Sequence, residues 1–317
     1  MEFLLQIFQF YWYIWAVKYN MENLNTCLVC GHNELINELT CTDFVATSEN
    51  FNLQRCKKCT FLFTNPRPDT NEIGKYYQSE KYVSHAGKKE GFGIMYKIYD
   101  IVRNYSINQK LNLIKKYNSS GNLMDLGCGL GYFLDGAVKD NTFECIGVDV
   151  SDDTIKYVKD TFGYNVKNES ELDQLPQNNY DVITQWHVLE HVHFLNERMK
   201  QLNNLLKKDG TLFIAVPNSN SWDAKKYKEY WDGYDVPRHL YHFNRTSIKL
   251  LMEKHGFEII EIKPLIFDAP YISMRSEIHQ KNNFTMLKGA INGLISNCSA
   301  MVTNEYSTLL FIVKKIK

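Results

Sequence analysis

From Asn122 onward, short apolar runs alternate with stretches whose apolar positions recur at helical spacing. Residues 123–126, 145–150, 165–166, 180–184, 211–216, 257–262 and 308–313 read as strands. Residues 132–139, 153–162, 195–207 and 246–255 read as helices between them. Ser151 is placed to cap the second helix, Asp209-Gly210 to stop the third and Gly256 to end the fourth. Strands alternating with helices of this length predict an α/β fold, a doubly wound, mostly parallel seven-stranded sheet with helices on both faces.

Upstream the pattern changes. Residues 70–118 read as helices with aromatic faces, carrying Tyr76, Tyr77, Tyr82, Tyr96 and Tyr99. Residues 27–65 form a compact polar and aromatic unit, closed by Asn65-Pro66-Arg67-Pro68, where two prolines disfavour regular structure. Residues 3–17 are apolar and aromatic without a charge, yet only fifteen residues long. That is short of the roughly 20 needed to span a bilayer as a helix. No basic n-region or small-residue cleavage site accompanies them. Three readings of residues 1–20 remain: an interfacial anchor, an amphipathic helix packed on the protein, or an upstream extension. The third fits best, because Met21 stands just ahead of the first cysteine pair. A membrane contact through this segment is not favoured. Two later insertions interrupt the alternation, at residues 217–243 and 270–305. Residues 272–279 and 284–296 read as amphipathic helices within the second.

The 317 residues hold 36 basic and 36 acidic side chains, so electrostatics make no case for nucleic acid as the main partner. Four of eight cysteines fall in two CxxC pairs, Cys27/Cys30 and Cys56/Cys59, with the spacing of a zinc ribbon. Each pair can place two thiolates on one knuckle, and four complete a tetrahedral shell with no open position, which makes structural Zn2+ the expected occupant. Thiol–disulfide chemistry and two unrelated turns are the competing readings, and His32 and Cys41 are nearby alternative ligands. A metal site without a secretory signal points to a reducing compartment and a cytoplasmic location.

The densest chemical signal is Asp125-Leu126-Gly127-Cys128-Gly129-Leu130-Gly131-Tyr132, which follows a strand and opens a helix. Gly127, Gly129 and Gly131 let the backbone approach a ligand closely. Asp149, at the end of the next strand beside Val150, can accept both hydroxyls of a ribose. Dinucleotide folds space their glycines G-x-G-x-x-G, with a pyrophosphate on the helix N-terminus. Here the third glycine comes one residue early and an acid precedes the first by two. That acid suits an ammonium, so S-adenosylmethionine is expected rather than a dinucleotide.

Residues 120–265 resemble a class I S-adenosylmethionine-dependent methyltransferase through LMDLGCGLGYFL, CIGVDVS, YDVITQWHVLEHV and LLKKDGTLFIAVPN. The resemblance implies that the 127–131 loop, with Cys128 and Tyr132, lines the methionine part and that Asp149 binds the ribose. It places an acid near the adenine; Glu171 matches best, with Glu169 or Asp173 as substitutes. It sets Gln185, Trp186 and His187 beside the sulfonium and the substrate. The CxxC–CxxC unit, FLFTNPRP and the Tyr-Tyr segment resemble the front end of a bacterial group of such enzymes. Some members methylate nucleotide-linked sugars at carbon, and others act in quinone, lipid or secondary-metabolite pathways. The full N-terminal signature of the sugar C-methyltransferases is absent.

The chain therefore reads as four parts: the extension 1–20, a zinc-ribbon-like module 21–68, a helical linker or cap 69–118 and the cofactor domain 119–317. Residues 217–243 lie at the carboxyl edge of the sheet and suit a substrate lid, with Trp222, Tyr227, Tyr230, Trp231 and Tyr234 arguing against disorder. Methylation of a hydroxyl or carbon acid needs a base. His239 and His242 are the first candidates, then His187 and His191. The expected activity is O- or C-methylation of a small-molecule or glycan- or lipid-linked acceptor. The alternatives are a nucleic-acid methyltransferase docking through the ribbon and a non-catalytic cofactor-binding scaffold. Neutral charge and the lack of an N/D-P-P-[YFW] motif oppose the first; the intact glycine loop and Asp149 oppose the second.

Overall fold

The computed structural model describes residues 21–78 and 93–316. The apolar segment 1–20 lies outside them. The chain opens with five short strands: β1 (Met21–Glu22), β2 (Leu35–Thr42), β3 (Asn50–Cys56), β4 (Leu62–Thr64) and β5 (Arg67–Pro68). β1 pairs antiparallel with β5, and β2, β3 and β4 form an antiparallel meander. Of the helices expected over 70–118, the described residues hold a 3₁₀ turn at Ile73–Tyr77 and α1 (Gly93–Ile114).

The alternating half follows as β6 (Gly121–Leu126), α2 (Tyr132–Asp140), β7 (Phe143–Asp149), α3 (Asp152–Phe162), β8 (Val166–Asn168), β9 (Tyr180–Trp186), α4 (Leu195–Leu205) and β10 (Leu206–Pro217). Then come α5 (Trp222–Tyr227), β11 (Tyr241–His242), α6 (Arg245–Lys254), β12 (Phe257–Pro264), α7 (Asp268–His279), α8 (Thr285–Thr303) and β13 (Thr308–Lys315). Seven strands make the main sheet, in the order β12-β13-β10-β9-β6-β7-β8. Only β13 runs against its neighbours β10 and β12; the other pairs are parallel. The doubly wound, mostly parallel seven-stranded sheet is as the alternation predicts. Its middle strands bury apolar side chains on both faces because helices cover both: Leu123, Met124, Leu126, Val182, Ile183, Phe213 and Ile214 are all buried.

Local chemistry sets the element ends. Ser151 Oγ accepts from Thr154 N–H, capping α3 as expected. α4 stops at Leu205, two residues before its expected end. Leu206 is buried, turns extended and pairs with Tyr180, so tertiary pairing overrides the helical periodicity.

Two further findings matter for the site. Residues 217–243 pack closely against the N-terminal unit. Trp231 is buried and its indole N–H donates to Asp223 at 2.8 Å. β11 adds itself antiparallel to β4, so this segment supplies a strand to the cysteine module's sheet. One apolar cluster accordingly joins Phe61 and Phe63 of the module to Tyr241, Phe243, Met199 and Leu251. The 270–305 insertion is a helical hairpin. A Cβ at Gly293 would sit 2.4 Å from Pro270 backbone atoms, and at Gly289 2.4 Å from Met274 Cα, so α7 and α8 touch backbone to backbone. Among the described residues, no helix is long and apolar enough to cross a membrane.

Candidate active site

The strand order reverses around β6, which has β7 on one side and β9 on the other. Open α/β sheets bind ligands at the carboxyl edge of such a point. The loop after β6 turns sharply back, with Gly127 N–H donating to Val148 O at 2.7 Å. Gly127 has φ +77°, and a Cβ there would strike Val188 Cγ2 at 2.4 Å. The turn after β9 is thus packed directly on the glycine loop. Gly129 has φ +52° and meets nothing within 4 Å on its Cβ side, which leaves an open cradle. Asp149 binds this loop from β7: Gly129 N–H donates to Oδ2 at 2.9 Å and Ser151 N–H to Oδ1 at 3.0 Å.

Polar groups without partners border the cradle. Gln185 is fully buried at the end of β9, yet neither its side-chain oxygen nor its nitrogen has a hydrogen-bond partner among the described residues. Trp186 Nε1 is likewise unpartnered, and its ring packs edge-on against Phe133, with Lys110 Nζ 4.1 Å from its centroid. Asp125 is buried and accepts from Thr184 Oγ1 at 2.7 Å. Burial pushes its carboxyl up to about 7, against the opposing effects of Thr184 and Lys110. Burial raises the Cys128 thiol well above its ordinary value, so it is a wall, not a nucleophile. Val150 projects its apolar side chain into solvent beside Asp149, 72% exposed. These features fit a ligand with a ribose, a flat apolar ring and an ammonium.

Glu171 is committed elsewhere. Its Oε1 accepts from Asn168 N–H at 3.0 Å and Oε2 from Lys167 at 3.3 Å, closing a capping box. Asp173 accepts from Gln201 at 3.0 Å. Glu169 is the acid of this segment whose charge acts on Asp149. It is also ion-paired with Arg198.

The four histidines diverge. His242 is buried against Thr64 Oγ1 at 3.1 Å and the edge of Tyr234, and burial drives its pKa well down. A ring sealed in the module interface has no surface to offer an acceptor. His187, at φ +58°, lies between Asp268 Oδ2 at 3.1 Å and Glu190 Oε1 at 3.5 Å. Burial would lower its pKa, but the hydrogen bonds and charges of Asp268 and Glu190 outweigh that and raise it to about 10. The two carboxylates thus favour its charged form. His191 and His239 meet edge to face, centroids 4.6 Å apart. Burial and the neighbouring His239 lower His191 to about 4, so it stays neutral.

Glu190, which with His191 follows the fourth strand of the main sheet in a position suited to ordering the loop, is fully buried beside these rings. Asp268 comes from the N-terminus of α7, 81 residues from His187, with no motif to announce it.

A family model described as a methyltransferase domain matches residues 99–262. The chain belongs to that family. The methyltransferase is 27% identical over 250 residues to a ubiquinone biosynthesis O-methyltransferase of Rickettsia bellii, covering 71% of this chain and 98% of the relative. It is 25% identical over 143 residues to a probable S-adenosylmethionine-dependent methyltransferase of Mycolicibacterium smegmatis, covering 43% of this chain and 52% of the relative. Its fold is similar to that of Haemonchus contortus phosphoethanolamine N-methyltransferase 2, solved with S-adenosyl-L-methionine, with a TM-score of 0.51. That match has 16% identity and covers 81% of this chain and 63% of the other. The methyltransferase is thus S-adenosylmethionine-dependent, with the class I fold and a zinc-ribbon-like N-terminal unit. In that unit Cys27, Cys30, Cys56 and Cys59 converge, their sulfurs all within 4.8 Å of one another and none in a disulfide. Cys41 lies on β2 in a different apolar cluster.

Proposed function

We propose that this methyltransferase methylates a hydroxyl oxygen of a small organic acceptor, held between the glycine loop and the wall formed by residues 217–243. The observation that carries this reading is the group Glu190, His191 and His239, where His239 of the wall segment meets the turn that packs against Gly127. The O-methyltransferase relative, matched over 98% of its length, supports oxygen as the accepting atom and makes a quinone-type phenol the first acceptor to try.

S-Adenosylmethionine supplies a methyl group on a sulfonium and departs as a neutral thioether. Asp149 would hold the ribose hydroxyls, Val150 would lie against the adenine and Asp125 would face the ammonium side. Gln185 and Trp186 use their unpartnered polar atoms beside the methionine part. The chain's main contribution is to hold the nucleophile in line, worth about 7–11 kcal/mol when the geometry is right. The Glu190–His191–His239 group is the basic element, and His187, held between Asp268 and Glu190, fixes the Glu190 side of it. Four cysteines without an open position suit structural zinc, which would hold the module that carries β4.

Methyl-labelled cofactor, offered with catechols and phenols, nucleotide-linked sugars and nucleic acid in separate incubations, tests the acceptor class. Label should enter the hydroxylated aromatics. Label confined to sugar carbon or to nucleic acid would overturn the reading. In His239→Ala the rate should fall roughly 10²–10⁴-fold, the usual worth of a basic group. Cofactor affinity by calorimetry should stay within twofold; equal loss of both would make His239 structural.

A further inference from the structure

Helix α8 carries its apolar stripe on the wrong side. The residues it buries are small: Gly289, Gly293, Ser296 and Ala300. Its large apolar residues face away from the protein, and Phe284, Leu287, Ile291, Leu294 and Met301 are 50–78% exposed. A surface helix of a globular chain ordinarily turns such residues inward. Here the backbone contact with α7 admits only small residues beneath α8, so the large ones are left without cover.

The exposed positions have the spacing of a helix–helix seam. Leu287, Ile291, Leu294, Cys298 and Met301 succeed one another at four, three, four and three residues, the alternation of a and d sites in paired helices. Lys288 is the only charged residue of α8. A helix that lies on a lipid surface is rich in Lys and Arg on its polar face. The face of α8 opposite the seam is instead buried and small, which favours a protein helix over lipid as the occupant. Eight large apolar side chains are exposed between residues 284 and 302. At about 100 Å2 each they offer roughly 800 Å2 per copy, the share that each partner gives to a stable interface.

The seam is also its own complement. Turned about a two-fold axis between residues 292 and 293, α8 sets Ile291 against Leu294 of a second copy, Leu287 against Cys298 and Phe284 against Met301. Each large residue then gains an apolar partner, and the methionine thioether meets an aromatic ring. At 1.5 Å of rise per residue the two Lys288 side chains stand about 14 Å apart along the helices, whereas a parallel pair would set them side by side.

We propose that the exposed face of α8 binds α8 of a second copy of this chain, antiparallel, as the isologous interface of a homodimer. The contact lies one helix away from the candidate active site. α8 rests on α7, and α7 begins at Asp268, whose carboxylate is 3.1 Å from His187.

The test is analytical ultracentrifugation of the zinc-loaded full chain, without cofactor or acceptor. At about 50 µM the wild type should sediment with the mass of two chains, and Leu294→Lys, whose charge enters a two-fold interface twice, with the mass of one. Leu294 is 63% exposed, so the variant should keep the wild-type circular dichroism. A wild type with the mass of one chain, or a dimer that survives Leu294→Lys, would sink the proposal. Binding of a monomeric wild type to phosphatidylglycerol vesicles, lost in Leu294→Lys, would hand the face to lipid and overturn it equally. Orientation is read from cross-linking under oxidised glutathione. Leu287→Cys should give a covalent dimer, because its thiol comes to lie opposite Cys298 of the second copy. Within one chain the two positions are about 16 Å apart on the helix, beyond the reach of a disulfide. Adding Cys298→Ser should abolish the link. A covalent dimer that persists in that double variant, or one that forms through Cys298 in wild type, would contradict the antiparallel seam.

Discussion

Asp125 stands in a core strand, where water cannot stabilise its charge, and burial holds it at about 7. The folded carboxyl therefore keeps its proton to higher pH than the unfolded one, whose ordinary value is 3.8. The folded state loses stability as pH rises from that value, and the loss is complete above about 7. Asp125→Asn, neutral throughout, should melt higher than wild type above pH 7, by on the order of a few kcal/mol. The gap should shrink to nothing near pH 4 when melting is followed without cofactor. An equal gap at both ends would refute the assignment. On the proposed placement of the cofactor's ammonium beside Asp125 the sign reverses, and cofactor binding near pH 7 should release a proton. Residues of this kind are legible in the sequence because their partners are local: Asp149 touches Gly129 from twenty residues away, one strand–helix–strand step. Glu171 shows how one spacing serves two local readings. The spacing that suggested an adenine contact also makes Asn168 and Glu171 a capping box, and the backbone N–H wins the carboxylate. His187 and Asp268 show a different limit, since no pattern in either segment encodes a pair 81 residues apart.

Elements are held by a few buried charges as much as by apolar contact. Arg238 is fully buried and donates to Asp43 at 3.0 Å, to Asp235 at 2.6 Å and to Tyr76 O at 2.9 Å. Asp43 also accepts from the backbone of Val45, Ala46 and Thr47, so one guanidinium ties the module's 43–48 loop to the wall segment. Arg238 O is in turn the carbonyl that orients His191. Removing the arginine strands two carboxylates, one of them fully buried. Arg238→Ala should lose about 3–5 kcal/mol in denaturant unfolding. It should also lower methyl transfer beyond what the remaining folded fraction explains. A loss under 1 kcal/mol would show that the cluster is solvated. The strands and helices of the cofactor half are legible from periodicity. The wall segment is not, because its order comes from Trp231, Arg238 and β11 finding partners in the N-terminal unit.

At the scale of the molecule, the cysteine unit and the cofactor domain share one core and one sheet edge. Metal in the four-cysteine cluster would stiffen the strands on which β11 rests. Stripping it with a strong thiol-competing chelator should lower the melting temperature and cut methyl transfer severalfold. S-Adenosylmethionine affinity should change little, because the 127–131 loop hydrogen-bonds to Val148 and Asp149 and not to the cysteine unit. Loss of cofactor binding in step with transfer would contradict that separation. The β4–β11 pairing also imposes an order on synthesis. The exposed edge of β4 (Leu62–Thr64) has to wait for β11 (Tyr241–His242), close to 180 residues later in the chain. At about 5–20 residues per second, the ribosome leaves that edge open for roughly 10–35 seconds. A nascent N-terminal unit with an unpaired strand is a target for wrong pairing. Chaperone demand during expression should therefore peak before residue 241 emerges and fall once β11 closes the sheet.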